Sequence, residues 1–197
     1  MKEKSVLVAS YKERFIWLDG VITRRTATVF RKMLTRLNRH KPAPIFLYIK
    51  GTGGDYYSTI LMARYVERSL SPVCIVAHGF VVSGCFLLTQ ASRYRLAMAG
   101  TKFRFHPAAL MLREGVKFIE QQEILDMLGR AKVCNAVQLS WFLRKGQPAD
   151  QICRLFNNEA LISLPKAIKL KLMDSYFKKE DFLKDRRIVR RLLRAKS

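Results

Sequence analysis

The chain is 197 residues long, enough for one domain that buries a core without disulfide or metal staples. Apolar residues make up 49% of it and charged residues 26%, which excludes an intrinsically disordered chain. Its 37 Lys and Arg outnumber 15 Asp and Glu, and the resulting +22 raises affinity for phosphates, anionic membranes and acidic proteins without dictating a fold.

The N-terminal "MKEKSVLVASYKER" holds an apolar patch of only about five residues, too short for the core of a signal peptide. "FIWLDG" (15–20) reads as a strand ended by Gly20. From Thr23 to about Asn38, Ala27, Phe30, Met33, Leu34 and Leu37 recur at helical spacing. "KPAP" breaks that helix, and "IFLYI" (45–49) is a continuous apolar run of the kind found in buried parallel strands. "KGTGGD" turns the chain into a second helix, from Tyr56 to about Leu70. "VCIVA" (73–77) reads as another buried strand, and a helix opened by Ser83 runs to about Ser92. "YRLAM" and "KFRFH" are two short strands around the turn "AG".

From about Val116 to Leu143 the pattern is one long helix. "KGQP" ends it, with Gly146 suited to a left-handed cap and Pro148 to the start of a helix over Ala149–Phe156. Pro165 opens a short helix that leads into a last strand. From Lys178 onward nine Lys or Arg accompany three acids, and Ile188, Val189, Leu192 and Leu193 recur at helical spacing, so a basic amphipathic helix is expected. Strand and helix alternate throughout, which predicts an α/β domain. No stretch reaches the roughly 18 apolar residues of a membrane span, so a soluble protein is expected.

Cys74, Cys85, Cys134 and Cys153 form no CxxC pair and no metal-ligand spacing. Three of them lie in apolar stretches, which points to reduced thiols in a cytoplasmic protein. The basic residues run from Lys2 to Lys196 rather than forming one stripe, so nucleic acid is not favoured as the main ligand, though the charge leaves it open.

Two strand-to-helix turns could carry chemistry. In "YIKGTGGD" the adjacent glycines allow close backbone approach to an anion or oxyanion, or simply make a tight turn. In "GFVVSG" Ser83 sits where a serine most often caps a helix, but where a sharp turn would present it as a nucleophile. His106 closes "KFRFH" and could point into the same cleft; it could equally be a surface or packing residue. The other histidines are His40, in a loop, and His78, at a strand end beside Gly79.

Taken in order, these segments resemble the proteolytic subunit of the Clp protease, within the ClpP/crotonase superfamily. "KERFIWLDG" is similar to the family's first strand, "IFLYIKGTGGD" to its strand and "YINSPGG" turn, and "GFVVSGCFLL" to its nucleophile segment. "RFH" followed by Pro107 resembles the "HQP" strand, "GQPADQI" the "TGQ" helix start, and "SLPKAIKLKLMDS" the last helix and turn. The likeness is collinear from about Tyr11 to Tyr176. It implies a ClpP/crotonase-like α/β fold of repeated β-β-α units with a long projecting handle helix. It also implies a peptidase domain over 1–176 followed by the basic extension over 177–197.

On the resemblance, Ser83 takes the nucleophile's place, His106 the base's and Glu159 the acid's, with Asp150 and Asp174 as rival carboxylates. The amides of Gly54 and Gly84 take the oxyanion hole. No metal, nucleotide or other cofactor is implied for the subunit itself. The implied partners are further copies of the chain in a ring or double ring, an AAA+ unfoldase, and unfolded polypeptides as substrates. The chain departs from the family at "KGTGG", which lacks the proline of "NSPGG". It departs again after the histidine, where "AALMLREGVKF" replaces a glycine-rich strand. Other readings are an inactive ring subunit acting as scaffold or regulator, a basic module docking on RNA or anionic membrane, and acyl chemistry on CoA thioesters.

Overall fold

The computed structural model describes residues 5–39, 43–108 and 120–177. The long C-terminal helix expected from Lys178 onward lies outside them, as do His40 and the first residues of the expected long helix. β1 (Val6–Ser10) pairs antiparallel with β2 (Phe15–Ile22), and β1 was not among the elements expected from sequence. From β2 the sheet continues in parallel through β3 (Ile45–Gly54), β4 (Val73–Val82), β5 (Tyr94–Met98) and β8 (Ser175–Phe177). Alternating β and α elements with parallel pairing give the expected α/β class.

Period-two alternation sends odd residues of β3 and β4 to one face and even residues to the other. On the first face Ile45, Leu47, Ile49, Ile75 and Ala77 pack with Phe30, Leu34 and Leu37 of α1 (Arg24–Arg39) and Met62, Ala63 and Val66 of α2 (Tyr56–Glu67). Phe86, Leu87 and Leu88 of α3 (Gly84–Thr89) complete that core. The second face carries a separate cluster of Phe46, Tyr48, Cys74, Val76, Leu96 and Phe177, edged by Phe15, Trp17, Tyr94 and Met98. No residue of a described helix belongs to it.

β3 and β4 run well beyond the apolar cores that mark them in sequence. β3 continues through its glycines to Gly54, and β4 through Gly79, at φ 63, to Val82. β4 also changes partner along its length. Its first half pairs with β5, Cys74 opposite Tyr94 through Ala77 opposite Ala97; its second half pairs with β6 (Lys102–Arg104), Phe80 opposite Lys102 through Val82 opposite Arg104. The two short strands around the Gly100 turn therefore lie beside successive halves of β4 rather than beside each other. β7 (Ile162–Ser163) then pairs antiparallel with β6, Ile162 opposite Phe103.

α4 (Gln121–Leu143) buries only Gln138, Trp141 and Phe142, all near its C-terminal end. Its earlier turns expose Ile124, Leu125, Leu128 and Val133, as a projecting handle would. α5 (Ala149–Asn157) and α6 (Leu164–Lys169) close the domain. α2 ends at Glu67, three residues before the expected stop, and Leu70 beyond it is 82% exposed. No helix of the described residues is long and apolar enough to cross a membrane.

Candidate active site

Ser83 occupies the sharp corner between β4 and α3. Its backbone adopts φ 52 and ψ −124, a region that side-chain-bearing residues rarely enter and that costs roughly 1–3 kcal/mol. It stands at the N-cap position of α3, yet its side chain makes no capping hydrogen bond. Helix capping, the ordinary role of a serine here, is therefore not what the hydroxyl does. The corner is held by its main chain: the Ser83 amide donates to the Arg104 carbonyl at 2.8 Å, and the Leu87 amide donates to the Ser83 carbonyl at 2.9 Å.

His106 follows β6, two residues past the Arg104 carbonyl that accepts from Ser83. Its half-buried ring has Nδ1 2.7 Å from the Pro107 carbonyl oxygen, so Nδ1 donates and, in the neutral ring, Nε2 is the acceptor. The next turn of chain is tied to the handle helix, where the Ala108 amide donates to Asn135 Oδ1 at 2.7 Å. Among the described residues, no hydrogen bond joins the His106 ring to Ser83 or to a carboxylate.

Glu159 follows the C-terminal end of α5 and is exposed, with φ 50. Its amide donates to the Phe156 carbonyl at 3.4 Å, so it fills the left-handed position usually given to glycine at a helix end. Glu159 lies three residues before Ile162 of β7, which pairs with Phe103 three residues before His106, but the β6–β7 ladder itself ends short of both residues. The rival carboxylates are engaged elsewhere. Asp150 lies in the first turn of α5, where a negative charge suits the helix dipole. Asp174 accepts from Arg95 Nη2 at 2.6 Å and from the Arg95 amide at 2.7 Å, neutralising a guanidinium that is only 2% exposed.

The glycine turn closes the corner from the β3 side. A Cβ on Gly53 would lie 2.5 Å from the Gly84 amide nitrogen and 2.8 Å from Ser83 Cβ, so only glycine lets β3 come this close. Gly84 is just as confined, since its Cβ would meet Thr59 Oγ1 of α2 at 2.5 Å. Gly54, at φ 140, pairs with Ile22 one residue beyond this contact. Burial pushes the Cys85 thiol, two residues past Ser83, up to about 12, so it is a packing group and no rival nucleophile.

One aromatic cluster positions all of these groups. Phe86 packs on Phe103 at 4.8 Å, on Phe142 at 5.1 Å and on Phe105 at 5.6 Å, and Phe105 stacks on Phe142 at 4.5 Å. Phe156 joins at 5.8 Å from Phe105. Phe86 stands three residues after Ser83, Phe105 one before His106 and Phe156 three before Glu159.

The family model for Clp protease matches residues 2–180. The chain belongs to the Clp protease family. The fold agrees: a ClpP1 mutant from Listeria monocytogenes superposes with a TM-score of 0.69 over 88% of this chain and 96% of that one, at 22% identity. As a Clp protease the chain is a peptidase by family, built on the ClpP fold that its sequence resembles. Two contributors to the Ser83 corner escaped sequence reasoning. Gly53 was visible only as one of an adjacent pair, and nothing in the sequence marks Asn135, which acts across a separation of 27 residues.

Proposed function

We propose that this Clp-family subunit is a serine endopeptidase that cuts unfolded polypeptide inside an oligomeric chamber. Ser83 is the nucleophile, His106 the general base, Glu159 the acid, and the amides of Gly54 and Gly84 the oxyanion hole. The observation that carries this reading is the strained, uncapped Ser83 at a strand-to-helix corner, the kind of sharp turn that presents a nucleophile.

In the proposed reaction His106 Nε2 removes the Ser83 hydroxyl proton as Oγ attacks the peptide carbonyl carbon. The oxygen that gains charge is met by backbone amides, each worth roughly 10²–10³ in rate. Collapse of the tetrahedral species breaks the C–N bond, and His106 returns the proton to the leaving amine. Water then attacks the acyl-serine by the same relay and releases the acid. The Pro107 carbonyl supports the needed tautomer by accepting from Nδ1, and Glu159 is the carboxylate assigned to stabilise the imidazolium.

The exposed apolar turns of α4, beside Tyr57 and Leu61 of α2, support self-association into rings. An AAA+ unfoldase feeding the chamber and a reducing cytoplasm complete the proposal. Covalent labelling with a fluorophosphonate tests the centre. Wild type labels, while Ser83→Ala neither labels nor hydrolyses an unfolded substrate. Equal labelling of the alanine variant, or none in an assembled wild-type oligomer, would discard the peptidase reading in favour of a scaffold.

A further inference from the structure

Basic residues are scattered along the sequence, but folding gathers six of them on one side of α1. Arg24, Arg25, Arg31, Lys32, Arg36 and Arg39 are all exposed, while Ala27, Phe30, Leu34 and Leu37 are buried. At about 100° per residue the six cations fall within an arc of about 140°. The same arc holds Thr28 and Thr35, and the helix contains no acidic residue. Three other arginines are used inside the fold: Arg95 pairs with Asp174, Arg144 with Glu67, and Arg14 donates to the Leu37 and Ala43 carbonyls and to Ser71 Oγ. Among the described residues, none of the six on α1 lies within ion-pair distance of a carboxylate.

This placement works against the helix. Arg24 and Arg25 follow Thr23, whose hydroxyl accepts from the Thr26 amide at 3.1 Å, and so stand in the first turn, where the helix dipole disfavours positive charge. Lys32 with Arg36, and Arg36 with Arg39, are like charges at the spacing of helical neighbours. A polyanion relieves both. We propose that this face of α1 binds the phosphate backbone of duplex DNA, without reading its sequence.

The chemistry of the arc selects this occupant. It presents no apolar side chain, so it has nothing to anchor in a lipid surface. It presents no aromatic on which unpaired bases would stack, and Tyr11 is covered by Arg36, whose guanidinium carbon sits 4.1 Å from the ring centroid. Five of the six cations are arginines, whose planar forks pair bidentately with phosphate. Cations recur every seven residues, Arg24 to Arg31 and Arg25 to Lys32 to Arg39, roughly 10.5 Å apart along the axis. That spacing is close to the ~12 Å width of the B-form major groove, so successive rows meet phosphates on either side of it. The narrow, deep major groove of A-form RNA offers no such span. Neither Ser83 nor His106 takes part in this contact.

The test titrates the full chain into a labelled DNA duplex two helical turns long and follows fluorescence anisotropy across a salt series. Arg24→Gln with Arg31→Gln and Arg39→Gln keeps helix-forming side chains at exposed positions while removing three charges. It is expected to flatten the slope of log affinity against log salt by about 3, and to bind at least tenfold more weakly at about 0.1 M salt. Arg25→Gln with Lys32→Gln, on the other half of the stripe, should flatten it by about 2. A charge-matched control on exposed positions elsewhere, Lys132→Gln with Lys166→Gln and Lys169→Gln, should lose less than threefold in affinity. Equal losses in the control and the α1 variants would reduce the binding to overall basicity and overturn the proposal. So would a salt slope unchanged by the α1 substitutions, or tighter binding to duplex RNA, to phosphatidylserine vesicles or to polyglutamate at the same salt.

Discussion

At Ser83 and Glu159 the backbone bears conformations that glycine adopts at no cost, φ 52 and φ 50. A side chain kept at such a position is kept for something other than stability. Ser83→Gly is expected to raise stability by about 1 kcal/mol, or roughly 2–4 °C in melting temperature for a domain of this size, while abolishing hydrolysis. Glu159→Gly should gain a similar increment and lose activity by less than the ~10⁴ seen when a histidine tautomer is lost, because the Pro107 carbonyl still holds Nδ1–H. Thermal melts beside single-turnover rates check both; a loss of stability at either position would remove the argument from strain. His78 offers a separate, pH-dependent check. Its ring packs on Trp17 at 4.5 Å with Nε2 buried and unbonded, and burial holds its pKa below the ordinary 6.5. The unfolded chain therefore takes up the proton first, and this contribution to stability is present above about pH 6.5 and lost as pH falls below it. Denaturant titrations from pH 8 to 5 should show that decline in wild type and a shallower one in His78→Phe.

At the scale of elements, the Ser83 corner depends on β4 changing partner. Had β4 paired with β5 along its whole length, Val82 and Ser83 would run off the sheet edge, and the chain carrying His106 would have no strand to lie beside. β6 is only three residues long, so its register beside β4 is secured mainly by the phenylalanines packed beneath it. Phe86→Ala is expected to cost about 3–5 kcal/mol, the usual range for emptying a large aromatic site in a core. Urea unfolding measures that cost directly, and a milder Phe86→Leu should reduce turnover more than it reduces stability. A wild-type midpoint in the alanine variant would deny the cluster this role.

For the whole molecule, the exposed apolar turns of α4 are out of keeping with a lone monomer carrying +22. Leu125 is 52% exposed, Leu128 44% and Val133 64%, and Leu125 and Val133 line a groove with Tyr56, Tyr57, Ile60 and Leu61 of α2. Leu125→Glu with Leu128→Glu should leave the far-ultraviolet dichroism unchanged and lower the native mass by at least one step of assembly. A native mass unaffected by the two charges would deny these turns a role in any assembly.

Ile45 to Ile49, Val73 to Ala77 and the apolar stripe of α1 declare themselves by periodicity, because each element buries a face along its own length. The collinear likeness to the Clp protease likewise needed only the order of local motifs. β1 could not be read in that way, since Val6 and Val8 are exposed at the edge of the sheet and its partner lies past a turn. Nor could the choice between a capping and a presented Ser83, which turns on a backbone angle set by the Arg104 carbonyl in another strand. Periodicity reports which side of an element is apolar; where two distant elements meet, and what their ends then do, is fixed by pairings between residues far apart in the chain.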